Sequence, residues 1–160
     1  MLGPRRWRPT AAAAGLVVLL SVTSACAPGT PDADSWRIDA QRAVSNASSA
    51  VQTAELALRQ HVKGRMFDRY LQTVMVEAEK GMGKASNAIS TRQPPQSERV
   101  RYQTVTSEID GAASLVATAR IAVVDRETDR YAALAARLGR AADRLQKLED
   151  QLMHPPVAQG

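Results

Sequence analysis

The chain has 160 residues, with 21 Lys and Arg against 16 Asp and Glu, 4% aromatic residues and one cysteine. Three of the arginines lie within the first eight residues, and removing these 3 from the 21 leaves 18 basic side chains against 16 acidic ones, a net charge of +2. A nearly neutral remainder gives no reason to expect a nucleic-acid partner, and one cysteine excludes a Cys-rich zinc site.

The first segment of the chain combines positive charge with an apolar run. Three arginines precede residues 11–22, which are almost entirely apolar, and residues 23–25 then lead to Cys26. A run of this length is shorter than the roughly 20 residues that cross a bilayer as a helix. Residues 1–25 are therefore typical of a cleaved secretory leader rather than of an uncleaved anchor helix.

The residues at the end of this leader resemble the lipobox of bacterial lipoproteins, in which a small residue precedes a cysteine that becomes linked to diacylglycerol. Ala25 and Cys26 fit that pattern, whereas Thr23 stands where the family most often has Leu. The resemblance implies cleavage between Ala25 and Cys26, and a chain anchored by lipid on the extracytoplasmic face of the cell membrane. The alternative is an ordinary secretory signal that leaves a free thiol, which would be a liability in an oxidising compartment.

The segment after the cysteine predicts a short tether followed by a helix. Residues 26–34 contain two prolines and a glycine, and Asp34 or Ser35 is the predicted N-cap. The first helix should end at Gly64, which favours a helix C-terminus. Its apolar stripe, spaced by three and four residues, comprises Val44, Ala47, Val51, Ala54, Leu58 and His61.

The second helix is predicted to stop before Pro94 and Pro95, because proline cannot continue a helix. Its predicted stripe comprises Phe67, Leu71, Val74, Ala78, Met82, Ala85 and Ile89.

The next boundary has neither glycine nor proline and is inferred from a change of phase. An apolar stripe that continued past Val123 would fall on Arg126 and Arg130, which are charged. The apolar pattern instead restarts at Tyr131, so residues 125–130 are predicted to connect a third helix to a fourth. The two stripes comprise Val105, Ile109, Ala112, Val116, Ala119 and Val123, and then Tyr131, Leu134, Leu138, Ala141, Leu145, Leu148 and Leu152.

These boundaries predict one all-α domain over residues 35–153 and a disordered tail over 154–160. Four helices of about 25 to 29 residues with short connections favour an up-down-up-down bundle. The alternative is a three-helix bundle in which the third helix is long and kinked.

The sequence pattern of these four helices does not indicate a catalytic, metal or cofactor site. No arrangement of a nucleophile with a base is recognisable, so no catalytic residue and no enzymatic activity are predicted. His61 and His154 should lie at opposite ends of the bundle and cannot share a metal, and backbone carbonyls are expected to satisfy His61. Met66 and Met75 are not expected to share a face with Met82, so no metal and no cofactor other than the diacylglycerol on Cys26 is predicted.

The mature chain also resembles small uncharacterised secreted lipoproteins of actinobacteria, which implies a helical fold and an envelope location but no activity. The residues that carry this resemblance are Gly64-Arg65 with Tyr70, Ala78-Glu79 with Gly83, Gln93-Pro94-Pro95, and Ala119-Arg120-Ile121-Ala122.

Recognition is therefore the predicted role. The bundle is expected to be a non-enzymatic interaction module whose partners are membrane lipid, through its anchor, and an envelope protein. The candidate partner-facing residues, all at the membrane-distal tip, are Arg65, Arg69, Arg126 and Arg130. The alternative function is a carrier that holds a lipid or a small apolar ligand in the bundle core.

Overall fold

The computed structural model describes residues 32–154, and the regular structure among them is helical throughout. Helix α1 spans Ala33–Val62, α2 Asp68–Ser90, α3 Arg99–Val124 and α4 Tyr131–Met153. Single 3-10 turns, Gln96–Glu98 and Thr128–Arg130, precede α3 and α4. The prediction of an all-α four-helix bundle is confirmed, although the helices, of 30, 23, 26 and 23 residues, are less equal in length than predicted.

Each helix packs against the next one in the chain, and α4 also packs against α1. The most extensive packing is between α1 and α4, followed by α1 with α2 and α2 with α3. Short connections between helices packed in this order give the up-down-up-down arrangement. Small residues bring α1 and α2 close together, since a Cβ added at Gly81 would lie only 3.1 Å from the Ala50 Cβ.

The predicted stripes of α3 and α4 are buried along their whole length, whereas α2 departs from its prediction. Met75 is fully buried and Val74 only partly, while Phe67 is exposed. Met75 and Met82 both belong to the core, because a separation of seven residues returns a helix to the same face. The prediction that they face different ways is therefore wrong.

The first helix begins slightly earlier than predicted. Asp32 is its N-cap, and the Asp32 carboxylate accepts a hydrogen bond from the Ser35 backbone N–H at 3.4 Å. The first turn therefore includes both predicted caps, Asp34 and Ser35. The tether predicted over residues 26–34 is shortened accordingly, and its residues 26–31 lie outside the described part of the chain.

The connection between α3 and α4 ends the third helix without a glycine. Arg126 adopts a left-handed conformation with φ of 58°, and the Glu127 N–H donates to the Ala122 carbonyl at 2.9 Å. This hydrogen bond belongs to the Schellman motif that usually places glycine at the left-handed position. The break predicted over residues 125–130 is present, and the alternative with one long third helix is wrong.

Candidate interaction surface at one end of the bundle

Two connections meet at one end of the bundle, and together they form what we call the tip. The tip comprises residues 61–70, from the end of α1 to the first turn of α2, and residues 124–131, from the end of α3 to the start of α4. A cavity of about 70 Å³ lies between them and is lined by Asp68, Leu71, Gln72, Val123, Arg126, Thr128 and Tyr131. The four predicted partner-facing arginines all lie within this tip.

The first connection of the tip is held by hydrogen bonds at both ends of a tight turn. Gly64 has a φ of 68°, and the Arg65 N–H donates to the Gln60 carbonyl at 2.9 Å. His61 Nδ1 lies 3.0 Å from the Met66 carbonyl oxygen, and the His61 ring meets Tyr131 edge-on at 5.4 Å. The prediction that a backbone carbonyl satisfies His61 is confirmed.

Exposed apolar side chains accompany this turn. Phe67 is 88% exposed, although the sequence pattern places it on the buried stripe of α2. It is the N-cap of α2 with an extended backbone, so it lies outside the helical register that the stripe assumes. Val62 and Tyr70 on either side are more than half exposed. Asp68 was the sequence signal that could have shown this, because Asp favours the first turn of a helix and therefore places the start of α2 after Phe67.

The four arginines differ in their ion pairing. Arg130 contacts the Glu127 carboxylate in its own connection. Arg65, Arg69 and Arg126 are exposed and make no ion pair with any residue between 32 and 154. Three of the four predicted residues therefore keep their guanidinium groups available, which is the state that suits recognition of carboxylates on a partner.

The cavity between the two connections brings a buried phenol near charged groups. Tyr131 is buried, and this burial, followed by the nearby Asp68 carboxylate, raises the pKa of its hydroxyl above the ordinary value of 10.0. Ligand pockets usually have volumes of several hundred Å³. At about 70 Å³, this cavity admits only a small group such as a water molecule or the end of one side chain.

Within residues 32–154 there is no group of three or more His, Cys, Asp or Glu side chains placed to hold a metal ion. None of the helices over the same residues is long and apolar enough to cross a membrane. The predicted cleavage and lipidation positions, Ala25 and Cys26, lie outside the described residues, as does the predicted tail after His154.

Comparison of the chain with models of protein families, with curated proteins and with solved structures gave no match.

Proposed function

We propose that this chain is a cell-envelope lipoprotein, anchored through diacylglycerol on Cys26 to the extracytoplasmic face of the cell membrane, whose bundle is a non-enzymatic interaction module. Its tip is the binding surface, and an envelope protein is the partner. The observation that carries the proposal is the combination of an 88% exposed phenylalanine with three arginines that make no ion pair among the described residues.

The composition of the tip supports recognition rather than simple solubility. Aromatic residues and arginine are enriched at the energetic centres of protein interfaces. Phe67 is held on a turn fixed by Gly64 and by the contact between His61 and the Met66 carbonyl. Because the backbone is already fixed, binding costs only the rotamer freedom of the side chain, so more of the contact energy appears as affinity.

The position of the tip supports a partner away from the anchor. Helix α1 starts at Ala33, close in sequence to Cys26, and ends at the tip after 30 residues. At 1.5 Å per residue this places the tip about 45 Å from the start of α1. A bundle held at Cys26 would therefore present Phe67 and its arginines at the far end.

The carrier function finds less support in the same core. Large side chains fill the bundle axis, and Leu58, Met75 and Leu145 are each 0% exposed. The larger hollows, such as the groove of about 430 Å³ beside Gly81, are open to solvent along the α1–α2 surface. A lipid in the core would require the helices to separate, so we retain the interaction module as the proposal.

A photocrosslinking amino acid at position 67 tests the interaction. We expect it to crosslink one discrete protein in intact cells, and the same amino acid at Ile38, which is 49% exposed near the start of α1 and far from the tip, serves as the control. Equal crosslinking from both positions, or none from position 67, would contradict a tip-directed function.

The anchor needs a separate measurement. The intact mass of the protein extracted from membranes should equal that of a chain starting at Cys26 plus diacylglycerol, and Cys26→Ala should abolish that mass. An unmodified mass would replace the anchored module with a secreted bundle, while leaving the test at position 67 unaffected.

A further inference from the structure

The two halves of the tip carry opposite excess charges. The half formed by α1 and α2 has Lys63, Arg65 and Arg69, all exposed and without an ion pair among residues 32–154. Its one carboxylate, that of the exposed Asp68, lies 3.6 Å from His61 Nε2, so three basic side chains stand against one acidic side chain. The half formed by α3 and α4 has Asp125 and Asp129, which are also exposed and without an ion pair among residues 32–154, against the one unpaired cation Arg126. This half therefore has a small acidic excess. Glu127 and Arg130 in that second half neutralise each other.

Exposed apolar side chains lie on both halves. Val62 and Phe67 occupy the basic half, and Val124, which is 54% exposed, ends α3 on the acidic half. Neither half is therefore only a solvated charged loop. Each presents an apolar contact beside charges that lack a partner within the described chain.

Such a surface complements itself. A two-fold axis lying between two end-to-end tips, along the line that divides the halves, sets the basic half of each copy against the acidic half of the other. We propose that the tip binds the tip of a second copy of this chain, with Lys63, Arg65 and Arg69 facing Asp125 and Asp129 across a two-fold interface. This proposal rests on the proposed function, because it names the partner of the same surface.

The acidic half decides between a second copy and other partners. A uniformly acidic protein surface or an anionic bilayer would attract the basic half but meet Asp125 and Asp129 with like charge. A second copy offers the opposite excess charge to both halves at once, although Asp68 and Arg126 reduce each excess by one charge. It also covers Phe67 and Val124 in the same contact.

The pairing has a consequence for the anchored protein. Each α1 of 30 residues is about 45 Å long, so an end-to-end pair sets the two α1 N-termini about 90 Å apart on opposite sides of the interface. Copies anchored at Cys26 would then join two facing membrane surfaces rather than cluster within one. Vesicles that carry the anchored protein should aggregate, and this aggregation should disappear when the tip charges are changed.

The test is a charge exchange, measured by sedimentation equilibrium on the membrane-extracted protein in a density-matched detergent. The first variant, Arg65→Glu with Arg69→Glu, makes both halves acidic, and the second, Asp125→Arg with Asp129→Arg, makes both halves basic. We expect the unaltered protein to form dimers and each variant alone to associate about tenfold or more weakly, because like charges face each other twice in a two-fold pair. An equimolar mixture of the two variants should restore dimers.

Any of three results would overturn the proposal. The first is an unaltered protein that stays monomeric up to about 200 µM, a concentration at which even weak interfaces are occupied. The second is that both variants still form dimers, and the third is that the mixture of variants forms none. Circular dichroism confirms that each variant is folded before it is measured. A monomeric protein whose position 67 still crosslinks to a different protein would refute the second copy as partner and leave the proposed function standing. Absence of both dimers and crosslinks would remove both.

Discussion

The two ends of the bundle use charged side chains in different ways. At the end where α1 begins, Glu98 is only 4% exposed, accepts a hydrogen bond from Arg37 Nε at 3.0 Å and contacts Arg101. At the tip, Arg65 and Arg69 are exposed and make no ion pair within residues 32–154. The same residue type therefore compensates a buried carboxylate at one end and remains available to solvent at the other.

This difference between the two ends shows that an arginine in the sequence does not by itself indicate whether it stabilises the fold or is open to a partner. Glu98 lies at the start of α3, where the helix dipole favours a carboxylate, and its bond to Arg37 ties that start to α1. A buried carboxylate without its cations would be costly, so this end depends on its ion pairs. The tip is shaped by backbone turns at Gly64 and Arg126, and its Arg65 and Arg69 make no ion pair within residues 32–154.

The largest expected effect comes from removing the buried carboxylate. Glu98→Ala should lower the free energy of unfolding by about 2 to 3 kcal/mol, since Arg37 and Arg101 lose a desolvated partner while keeping some access to water. Urea denaturation measures the change. Glu108→Ala is the matched control, because its 3.1 Å contact with Arg144 is exposed and should be worth less than about 1 kcal/mol. Equal losses from both variants would mean that the buried ion pairs of Glu98 contribute no more to stability than the exposed pair of Glu108.

The two connections of the tip allow a second comparison, because both end a helix with a left-handed residue. Gly64→Ala should destabilise the fold by about 1 kcal/mol through its φ of 68° alone, since no atom lies within 4 Å of the added Cβ. Arg126→Gly should stabilise it by about 0.5 to 1 kcal/mol by relieving the strain at φ of 58°. Thermal and urea unfolding of both variants measures this.

A destabilised Arg126→Gly would show that the Arg126 side chain makes a contact that outweighs its backbone strain. Arg126→Ala separates the two effects, because it keeps a Cβ in the left-handed region while removing the guanidinium group.

Tyr131 should make the tip sensitive to alkaline pH. Because burial raises the pKa of its hydroxyl in the folded state, the neutral phenol stabilises the fold below about pH 10, and that contribution is lost as the pH rises from there through the raised pKa. Unfolding free energies at about pH 9 and about pH 11, roughly one unit on either side of the ordinary value, measure the loss. Tyr131→Phe should reduce it, whereas Tyr70→Phe, at an exposed position, should not.

Helical periodicity was enough to predict most of this fold. Every stripe position predicted for α3 and α4 is buried, and the phase change before Tyr131 located a break that no glycine or proline marks. The pattern failed where a residue lies at a helix end rather than inside it. Phe67 has the spacing of the α2 stripe but caps that helix, and Arg126 occupies a position that sequence preferences assign to glycine.

The tip was predictable in part for the same reason. Up-down topology alone places Arg65, Arg69, Arg126 and Arg130 at one end, and the structure has them there. Which of them are paired depends on side-chain geometry within a connection. Glu127 and Arg130 pair at a separation of three residues, whereas Arg126 and Asp129 have the same separation and do not pair within the described residues. The exposure of Phe67 was likewise invisible to a pattern that counts apolar residues without their caps.

The smallest expected effect on stability is that of replacing the tip arginines, and it gives the clearest contrast with the ion-paired arginines at the other end. Arg65→Ala and Arg69→Ala should each change the free energy of unfolding by less than about 0.5 kcal/mol, because neither side chain has an ion-pair partner within residues 32–154. Crosslinking from position 67 should nevertheless fall when both are replaced. A loss of more than about 1 kcal/mol from either variant would mean that the arginine supports the fold, as Arg37 does at the other end, and its surface could no longer be counted as open to a partner.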